Sequence, residues 1–232
     1  MVEFHLGSSR QPLRRILCLG SHCDDIEIGC GGAILQLLRE DPEIEVYWKV
    51  FSSTPVRKRE ALHAASLFLE PARKKKVVVR NYRDGFFPSL QAQIKGEFEK
   101  LKNQFLPDLI FTHYRHDLHQ DHRVICELTW NTFRNHLILE YEIPKYDGDL
   151  GAPNCFVPLD GQTCKRKIDY LCRVFGTQRG KHWFTPDTFE ALMRIRGLES
   201  NSPAKFAEAF YARKLVLGAD TGSLAPKSKR KK

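Results

Sequence analysis

The chain has 232 residues, 42% of them hydrophobic, and a formal net charge of +9, which suits one α/β domain with a sizeable core. No apolar run approaches the roughly 20 residues of a membrane span, and the polar N-terminal segment lacks the apolar stretch of a signal peptide, so we expect neither. Seven scattered cysteines exclude a disulfide framework, so we expect a cytoplasmic protein.

Hydrophobic periodicity predicts alternating strands and helices through residue 143. The predicted strands are residues 15–19, 45–51, 77–79, 109–111 and 138–143. The predicted helices are residues 26–39, 55–69, 90–105 and 121–137. This order predicts an α/β fold, with an open, mostly parallel Rossmann-like sheet and helices on both faces. In the commonest winding, strands one and four are neighbours, and ligands bind outside their carboxyl ends.

The last third of the chain has a less regular pattern, which we interpret as an irregular C-terminal extension that helps to shape a pocket. Residues 146–160 are rich in Gly, Pro and Asp and predict a loop. Residues 164–175 and 186–195 predict helices, and residues 210–217 predict a helix end or a strand. We expect one domain over residues 1–225 and a disordered basic tail over residues 226–232.

Two clusters of polar residues follow predicted strands. Strand one is followed by His-Cys-Asp-Asp at residues 22–25, and strand four by a stretch, residues 112–122, that contains four histidines and two aspartates. If the two strands are neighbours, both clusters meet at one site. The first cluster alone is also compatible with a helix N-cap, and each single histidine with a surface position. A dinucleotide site is excluded because Gly-x-Gly-x-x-Gly is absent and carboxylates would repel a pyrophosphate.

The combined clusters predict a metal-dependent hydrolase. Histidine and aspartate ligands suit zinc, with iron(II) or another divalent ion as alternatives. Three protein ligands leave one position for a water, whose pKa the ion lowers to about 7. A nearby carboxylate that is not a ligand then serves as general base.

At these residues the sequence resembles the PIG-L/LmbE family of zinc-dependent N-acetylglucosamine deacetylases. The family pattern His-Pro-Asp-Asp with a following Gly-Gly stands here as His-Cys-Asp-Asp at residues 22–25 and Gly-Gly at residues 31–32. The family pattern His-x-Asp-His stands as residues 119–122. An Arg-x-x-Glu pattern and an Asp-Gly pair match residues 57–60 and 84–85. The resemblance covers about the first 140 residues.

Carried over to matching positions, the resemblance implies that His22, Asp25 and His122 are zinc ligands. It implies that Asp24 is the general base for a metal-bound water that attacks the amide. The expected reaction removes the acetyl group from an N-acetylated amino sugar, which is free or linked to a nucleotide or lipid, and releases acetate and an amine.

The resemblance also implies roles around the metal site. His119 would be the acid or electrophilic group, with Asp121 as its orienting partner, and Arg57 and Asp84 would contact the sugar. Two departures from the family pattern stand out. Cys23 replaces the usual proline, and Asp117 stands where some members have a tyrosine that serves as an oxyanion donor. Tyr114 or the last third of the chain is left to supply that donor.

Two other functions stay open at the level of sequence. The first keeps the metal but hydrolyses another amide, an ester or a phosphoester. The second is a binding protein whose basic tail contacts nucleic acid, although the sequence has no strong nucleic-acid signal outside that tail. A homo-oligomer is compatible with either function.

Overall fold

The computed structural model describes residue 6 and residues 12–216, so the predicted tail at residues 226–232 lies outside the described residues. Within them, one sheet holds seven strands: β1 (Arg15–Gly20), β2 (Glu45–Ser52), β3 (Lys74–Tyr82), β4 (Leu109–His113), β5 (Leu137–Tyr141), β6 (Cys155–Leu159) and β7 (Phe206–Ala212). The same residues form six α-helices: α1 (Asp25–Glu40), α2 (Pro55–Phe68), α3 (Gln91–Gln104), α4 (Gln120–Thr132), α5 (Gly161–Val174) and α6 (Pro186–Glu199).

The strands lie in the order β3-β2-β1-β4-β5-β7-β6. Strands β1 to β5 run parallel, and β7 runs antiparallel to both of its neighbours. β1 pairs with β4 from Ile16 opposite Leu109 to Cys18 opposite Phe111. The predicted open, mostly parallel sheet and the predicted contact of strands one and four are therefore confirmed. The winding reverses between these two strands, which opens a crevice at their carboxyl ends.

Helices cover both faces of the sheet, as predicted. Successive side chains of a strand point to opposite faces. Ile16 and Cys18 of β1 accordingly join an apolar cluster with α1, α2 and α5, whereas Leu17 and Leu19 join a second cluster with α3 and α4. Burial on both sides explains why β1 is a continuous apolar run and shows no alternation.

The C-terminal third departs from the prediction in one element. Residues 146–160 were expected to form a loop, but their last part is strand β6. Among the described strands, β6 pairs with β7 alone, where Pro158 lies opposite Ala207, and it forms an edge of the sheet. An edge strand tolerates a proline because one side of its backbone has no partner to bond. The Gly, Pro and Asp content therefore indicated a loop where an edge strand forms.

Helix ends differ from the predicted boundaries by a few residues. α5 begins at Gly161, three residues before the predicted start, because the Asp160 side chain accepts the N–H of Thr163 at 2.7 Å and caps the helix. α4 ends at Thr132, before the predicted residue 137. The predicted choice between a helix end and a strand for residues 210–217 is settled by β7, which occupies Phe206–Ala212, while Leu217 lies outside the described residues.

Glycines let α1 pack closely against its neighbours. A Cβ on Gly29 would lie 2.1 Å from the ring of Tyr141 in β5, and a Cβ on Gly31 would lie 2.5 Å from the ring of Phe68 in α2. The Tyr141 hydroxyl donates to the carbonyl of Leu19 in β1 at 2.6 Å. Tyr141 thus lies against both α1 and β1, next to the loop that contains the first polar cluster.

Candidate metal centre

The two motifs meet at the crevice between β1 and β4. His22 lies in the loop between β1 and α1, and Asp25 is the first residue of α1. His122 lies in the first turn of α4, which follows β4 and has His119 as its N-cap. The side chains of His22, Asp25 and His122 are all buried.

Potential ligand atoms of these three side chains converge. Nδ1 of His22 lies 3.1 Å from Nε2 of His122 and 3.5 Å from Oδ2 of Asp25. Nε2 of His122 lies 3.6 Å from Oδ1 of Asp25. A tetrahedral zinc ion with ligands at about 2.0–2.1 Å places its ligand atoms roughly 3.3 Å apart. The three distances are close to this value, although they involve different oxygens of Asp25.

The described residues contain further groups of potential donors that overlap this one. They are His22 with His119 and His122; His22 with Asp84, His119 and Asp121; and Asp25 with His113 and His122. His113 is buried, and its Nε2 lies 3.2 Å from Oδ2 of Asp25. That same Nε2 accepts the N–H of Ser21 at 2.9 Å, a hydrogen bond that would have to break before His113 could bind an ion through this atom.

The surroundings of Asp25 and His122 favour the protonation states in which these side chains bind a metal. Burial alone would raise the pKa of Asp25, but the rings of His122, His113 and His22 hold it well below its ordinary value. Burial and His113 lower the pKa of His122 to about 3, so its ring is neutral. An ionised carboxylate and a neutral imidazole are the forms that bind a metal. For His22, burial is outweighed by the nearby carboxylates, which raise its pKa in the metal-free protein.

Asp24 is buried beside these donors and pairs with Arg57. The Arg57 guanidinium donates to Oδ1 of Asp24 at 2.8 Å. Although Asp24 occupies the N-cap position of α1, its side chain makes no capping hydrogen bond. Burial raises the pKa of Asp24, against the opposing effect of Arg57. The site thus contains a carboxylate of raised proton affinity that is not needed to cap the helix.

His119 and Asp121 are both at the site, but their predicted pairing is wrong in one respect. The Asp121 carboxylate does not orient the His119 ring, because its oxygens bind other groups. Oδ1 accepts the N–H of Phe87 at 3.0 Å. Oδ2 accepts the N–H of Gly85 at 2.7 Å and lies 3.2 Å from Nε2 of His22. The contact with His119 runs through the Asp121 backbone, whose N–H donates to Nδ1 at 3.2 Å. In the neutral ring, the His119 proton is then on Nε2.

Arg57 and Asp84, the two predicted sugar contacts, lie at the rim of the site. Oδ1 of Asp84 is 3.0 Å from Nε2 of His22, and its Oδ2 is 3.9 Å from Nη1 of Arg57. A hydrogen bond from His22 lowers the pKa of Asp84 to about 2. The Asp84 side chain is 58% exposed, so it is accessible to a molecule that enters the crevice.

The sequence reading missed three residues near the ligands. Asp117 was noted only as the position of a missing tyrosine, yet its Oδ2 lies 2.8 Å from Nδ1 of His122. Lys145 lies 3.0 Å from the same oxygen, in a region with no recognisable motif. The Tyr141 hydroxyl is 3.3 Å from Nε2 of His113. The sequence signal that could have pointed to Asp117 was an acidic residue placed two positions before the second motif.

The structure shows the surroundings of Cys23 and Tyr114, the residues named with the two departures from the family pattern. Cys23 is buried, and its thiol donates to the carbonyl of Ser52 at 3.3 Å, so the residue that replaces proline packs inward. The ring of Tyr114 stacks on Tyr211 with 3.7 Å between ring centroids. The stacking gives no evidence that Tyr114 is the oxyanion donor, so that role stays a prediction.

Solved structures with the same fold include two deacetylases and a hydratase. The N,N'-diacetylchitobiose deacetylase from Pyrococcus horikoshii is 19% identical, with a TM-score of 0.61 over 89% of this chain and 86% of its own. The zinc-inhibited form of teicoplanin deacetylase is 12% identical, with a TM-score of 0.64 over 85% of this chain and 97% of its own. A 4-carboxy-2-hydroxymuconate hydratase from Pseudomonas putida is 13% identical, with a TM-score of 0.66 over 90% of this chain and 99% of its own. These similarities show the fold, which by itself does not fix the reaction.

Residues 17–133 match the model of a sequence family described as PIG-L, GlcNAc-PI de-N-acetylase. No curated protein matches the sequence significantly. Together with the fold and the site, the family match defines the class: a metal-dependent N-deacetylase, which is a hydrolase of carbon–nitrogen bonds other than peptide bonds. The chain belongs to the PIG-L family, as its two histidine motifs indicated. Among the residues described, no helix has the length and apolar character to cross a membrane.

Proposed function

We propose that this protein removes the acetyl group from an N-acetylated amino sugar with a divalent ion, zinc in the first instance, held by His22, Asp25 and His122. The observation that carries the proposal is the convergence of one ring nitrogen of His22, one of His122 and the two oxygens of Asp25, at distances of 3.1, 3.5 and 3.6 Å, beside the buried carboxylate of Asp24. When bound, the ion supplies Lewis acidity, which polarises an amide carbonyl and makes water more acidic.

Asp24 is the residue that we assign as general base. It is buried, its pKa is raised, and its one charged partner, Arg57, contacts only Oδ1 among the hydrogen bonds of the described residues. Oδ2 is therefore available to take the proton of an attacking water. The proton that Asp24 takes is available in turn to the leaving nitrogen, so the reaction yields acetate and a free amine with no net change at the enzyme.

His119 is suited to stabilise the charge that develops on the carbonyl oxygen. The Asp121 N–H fixes Nδ1 as an acceptor, which leaves the N–H at Nε2 as the donor. Burial, together with His22, lowers the pKa of His119, so the ring is neutral at pH 7. A neutral ring with a fixed tautomer donates a hydrogen bond without a prior change of protonation.

The substrate enters past Arg57 and Asp84, which we assign to contacts with the sugar. Asp84 is an acceptor for sugar hydroxyl groups because it is exposed and ionised. Arg57 has a second terminal nitrogen, Nη1, which lies 3.9 Å from Asp84 and is free of close hydrogen bonds among the described residues. The sequence does not distinguish a free sugar from a nucleotide-linked or lipid-linked one. The experiment therefore compares all three forms of the substrate.

The test combines metal analysis with product analysis. The purified protein is stripped with a chelator, reloaded with zinc or iron(II), and incubated with N-acetylglucosamine in free form and linked to a nucleoside diphosphate or a phospholipid. We expect one ion per chain and equal amounts of acetate and free amine from at least one substrate. Release of alcohol from an ester or phosphate from a phosphoester, without acetate from any acetamide, would refute deacetylation in favour of another hydrolysis.

A further inference from the structure

Asp117 is a buried carboxylate in direct contact with a proposed ligand. It is 2% exposed, and its Oδ2 lies 2.8 Å from Nδ1 of His122. Its Oδ1 accepts the backbone N–H of His119 at 2.8 Å. One side chain thus contacts both histidines of the second motif, one through the ring and the other through the backbone.

The contact selects one tautomer of His122. A carboxylate can only accept, so the hydrogen bond at Nδ1 requires the proton to be on that nitrogen. The lone pair of the neutral ring is then on Nε2, which is the atom that faces Nδ1 of His22 and the carboxylate of Asp25. Metal-binding histidines commonly donate their second ring N–H to a carboxylate, which fixes the ring and increases its basicity.

Lys145 is a charged side chain in direct contact with Asp117. Its side chain is 8% exposed, and its Nζ lies 3.0 Å from Oδ2 of Asp117 and also contacts Asp149, which itself does not touch Asp117 among the hydrogen bonds and ion pairs of the described residues. Asp149 accepts the backbone N–H of Leu118 at 2.7 Å.

We propose that Asp117 is a positioning residue that fixes the tautomer and orientation of His122 for metal binding. The inference rests on the ligand set proposed above. It also gives Asp117 a role different from that of the tyrosine that some family members have at this position, because both carboxylate oxygens accept hydrogen bonds from residues of the second motif. Asp117 acts through His122 and does not touch the substrate.

The experiment measures metal affinity directly, by competition for Zn²⁺ between the protein and a chromophoric chelator. We compare the wild type with Asp117→Asn, which keeps the shape but removes the charge, and with the matched control Asp149→Asn, which alters the same charged cluster without touching His122. We expect Asp117→Asn to weaken zinc binding about 10- to 100-fold and to alter the visible spectrum of the Co²⁺-loaded protein. Asp149→Asn should keep the wild-type spectrum and an affinity within about 3-fold of the wild type, as for a group outside the ligand contacts.

Two results would overturn the inference. One is wild-type zinc affinity in a folded Asp117→Asn variant, and the other is equal weakening in Asp149→Asn. The variant His122→Ala tests the ligand set separately. If His122→Ala loses zinc and Asp117→Asn does not, the role of Asp117 is refuted and the ligand set is not. If Asp117→Asn does not fold, nitrogen-15 NMR of the wild-type ring decides: a proton on Nδ1 of His122 supports the inference, and a proton on Nε2 of the metal-free protein contradicts it.

Discussion

Nδ1 of His22 lies 3.1 Å from Nε2 of His122, although 100 residues separate them along the chain. Their motifs follow β1 and β4, and the pairing of these two strands brings the rings together. In the metal-free protein, a hydrogen bond from Nδ1 of His22 to Nε2 of His122 accounts for this distance. We propose that a bound cation takes the place of the shared proton, with Asp25 as the third ligand.

His122→Ala tests the ligand set. Because the substitution removes one of three protein ligands, we expect the variant to be isolated without stoichiometric zinc while it keeps its fold. The check is metal analysis by mass spectrometry together with far-UV circular dichroism. His63→Ala, at an exposed position on α2, is the matched control and should retain one ion per chain. Stoichiometric zinc in His122→Ala would contradict the ligand set.

Asp24→Asn tests the general base. We expect the variant to bind zinc normally, because Asp24 is not one of the proposed ligands, and to lose about 10²- to 10⁴-fold in kcat, the usual contribution of a general base. Acetate release at saturating substrate measures the loss. Asp169→Asn, on the exposed side of α5, should behave as the wild type. Normal turnover in Asp24→Asn would remove this residue from the proposed mechanism.

Gly29→Ala tests the close packing of α1. The added Cβ would lie 2.1 Å from a ring carbon of Tyr141, so the helix or the ring must move, and overpacking of this kind costs about 1–3 kcal/mol of unfolding free energy. The control is Gly96→Ala in α3, where a Cβ meets nothing within 4 Å. At that position alanine should stabilise the protein by about 0.5–1 kcal/mol, because alanine loses less backbone entropy on folding than glycine does. Urea denaturation measures both, and the same sign for the two variants would be inconsistent with the packing.

Lys167→Met tests the buried pair that joins α1 to the C-terminal region. Lys167 and Glu208 are both 3% exposed and lie 2.6 Å apart, and Glu208 also accepts the N–H groups of Gly32 and Ala33 in α1. Removal of the cation leaves a buried carboxylate without its counter-charge, which costs about 3–5 kcal/mol. Lys165→Met, an exposed position on the same helix, should change the unfolding free energy by less than about 0.5 kcal/mol. Equal effects of the two substitutions would contradict this role.

Asp160→Asn tests the dependence of stability on pH. The N–H of Thr163 and the side chain of Arg39 lower the pKa of Asp160 to about 2, below its ordinary value of 3.8. The ionised carboxylate therefore stabilises the fold above about pH 4, and this contribution is lost as the pH falls toward 2. We expect the Tm difference between the wild type and Asp160→Asn to shrink over this range, as measured by thermal unfolding in a pH series. A constant difference from pH 5 to pH 2 would argue against the lowered pKa.

The sequence by itself predicted strands β1 to β5, their open parallel sheet and the family, and the commonest winding of such sheets predicted the contact of β1 with β4. The apolar runs and helical periodicities of the first 143 residues depend on local burial, which a sequence displays directly. The two histidine motifs were also visible as sequence, because their residue types and spacing are unusual outside metal sites. The place of His22, Asp25 and His122 at one crevice then followed from the winding rule for parallel sheets.

Only the tertiary structure decided which atoms meet within that crevice. The carboxylate of Asp121 bonds to Gly85 and Phe87 and not to the ring of His119, and Asp117 and Lys145 join the surroundings of His122. The strand β6 was hidden because an edge strand does not require the apolar pattern or the backbone donors of a central one. Motif spacing places residues at the end of a strand, but side-chain partners depend on loops and rotamers that are set by contacts far apart in the chain.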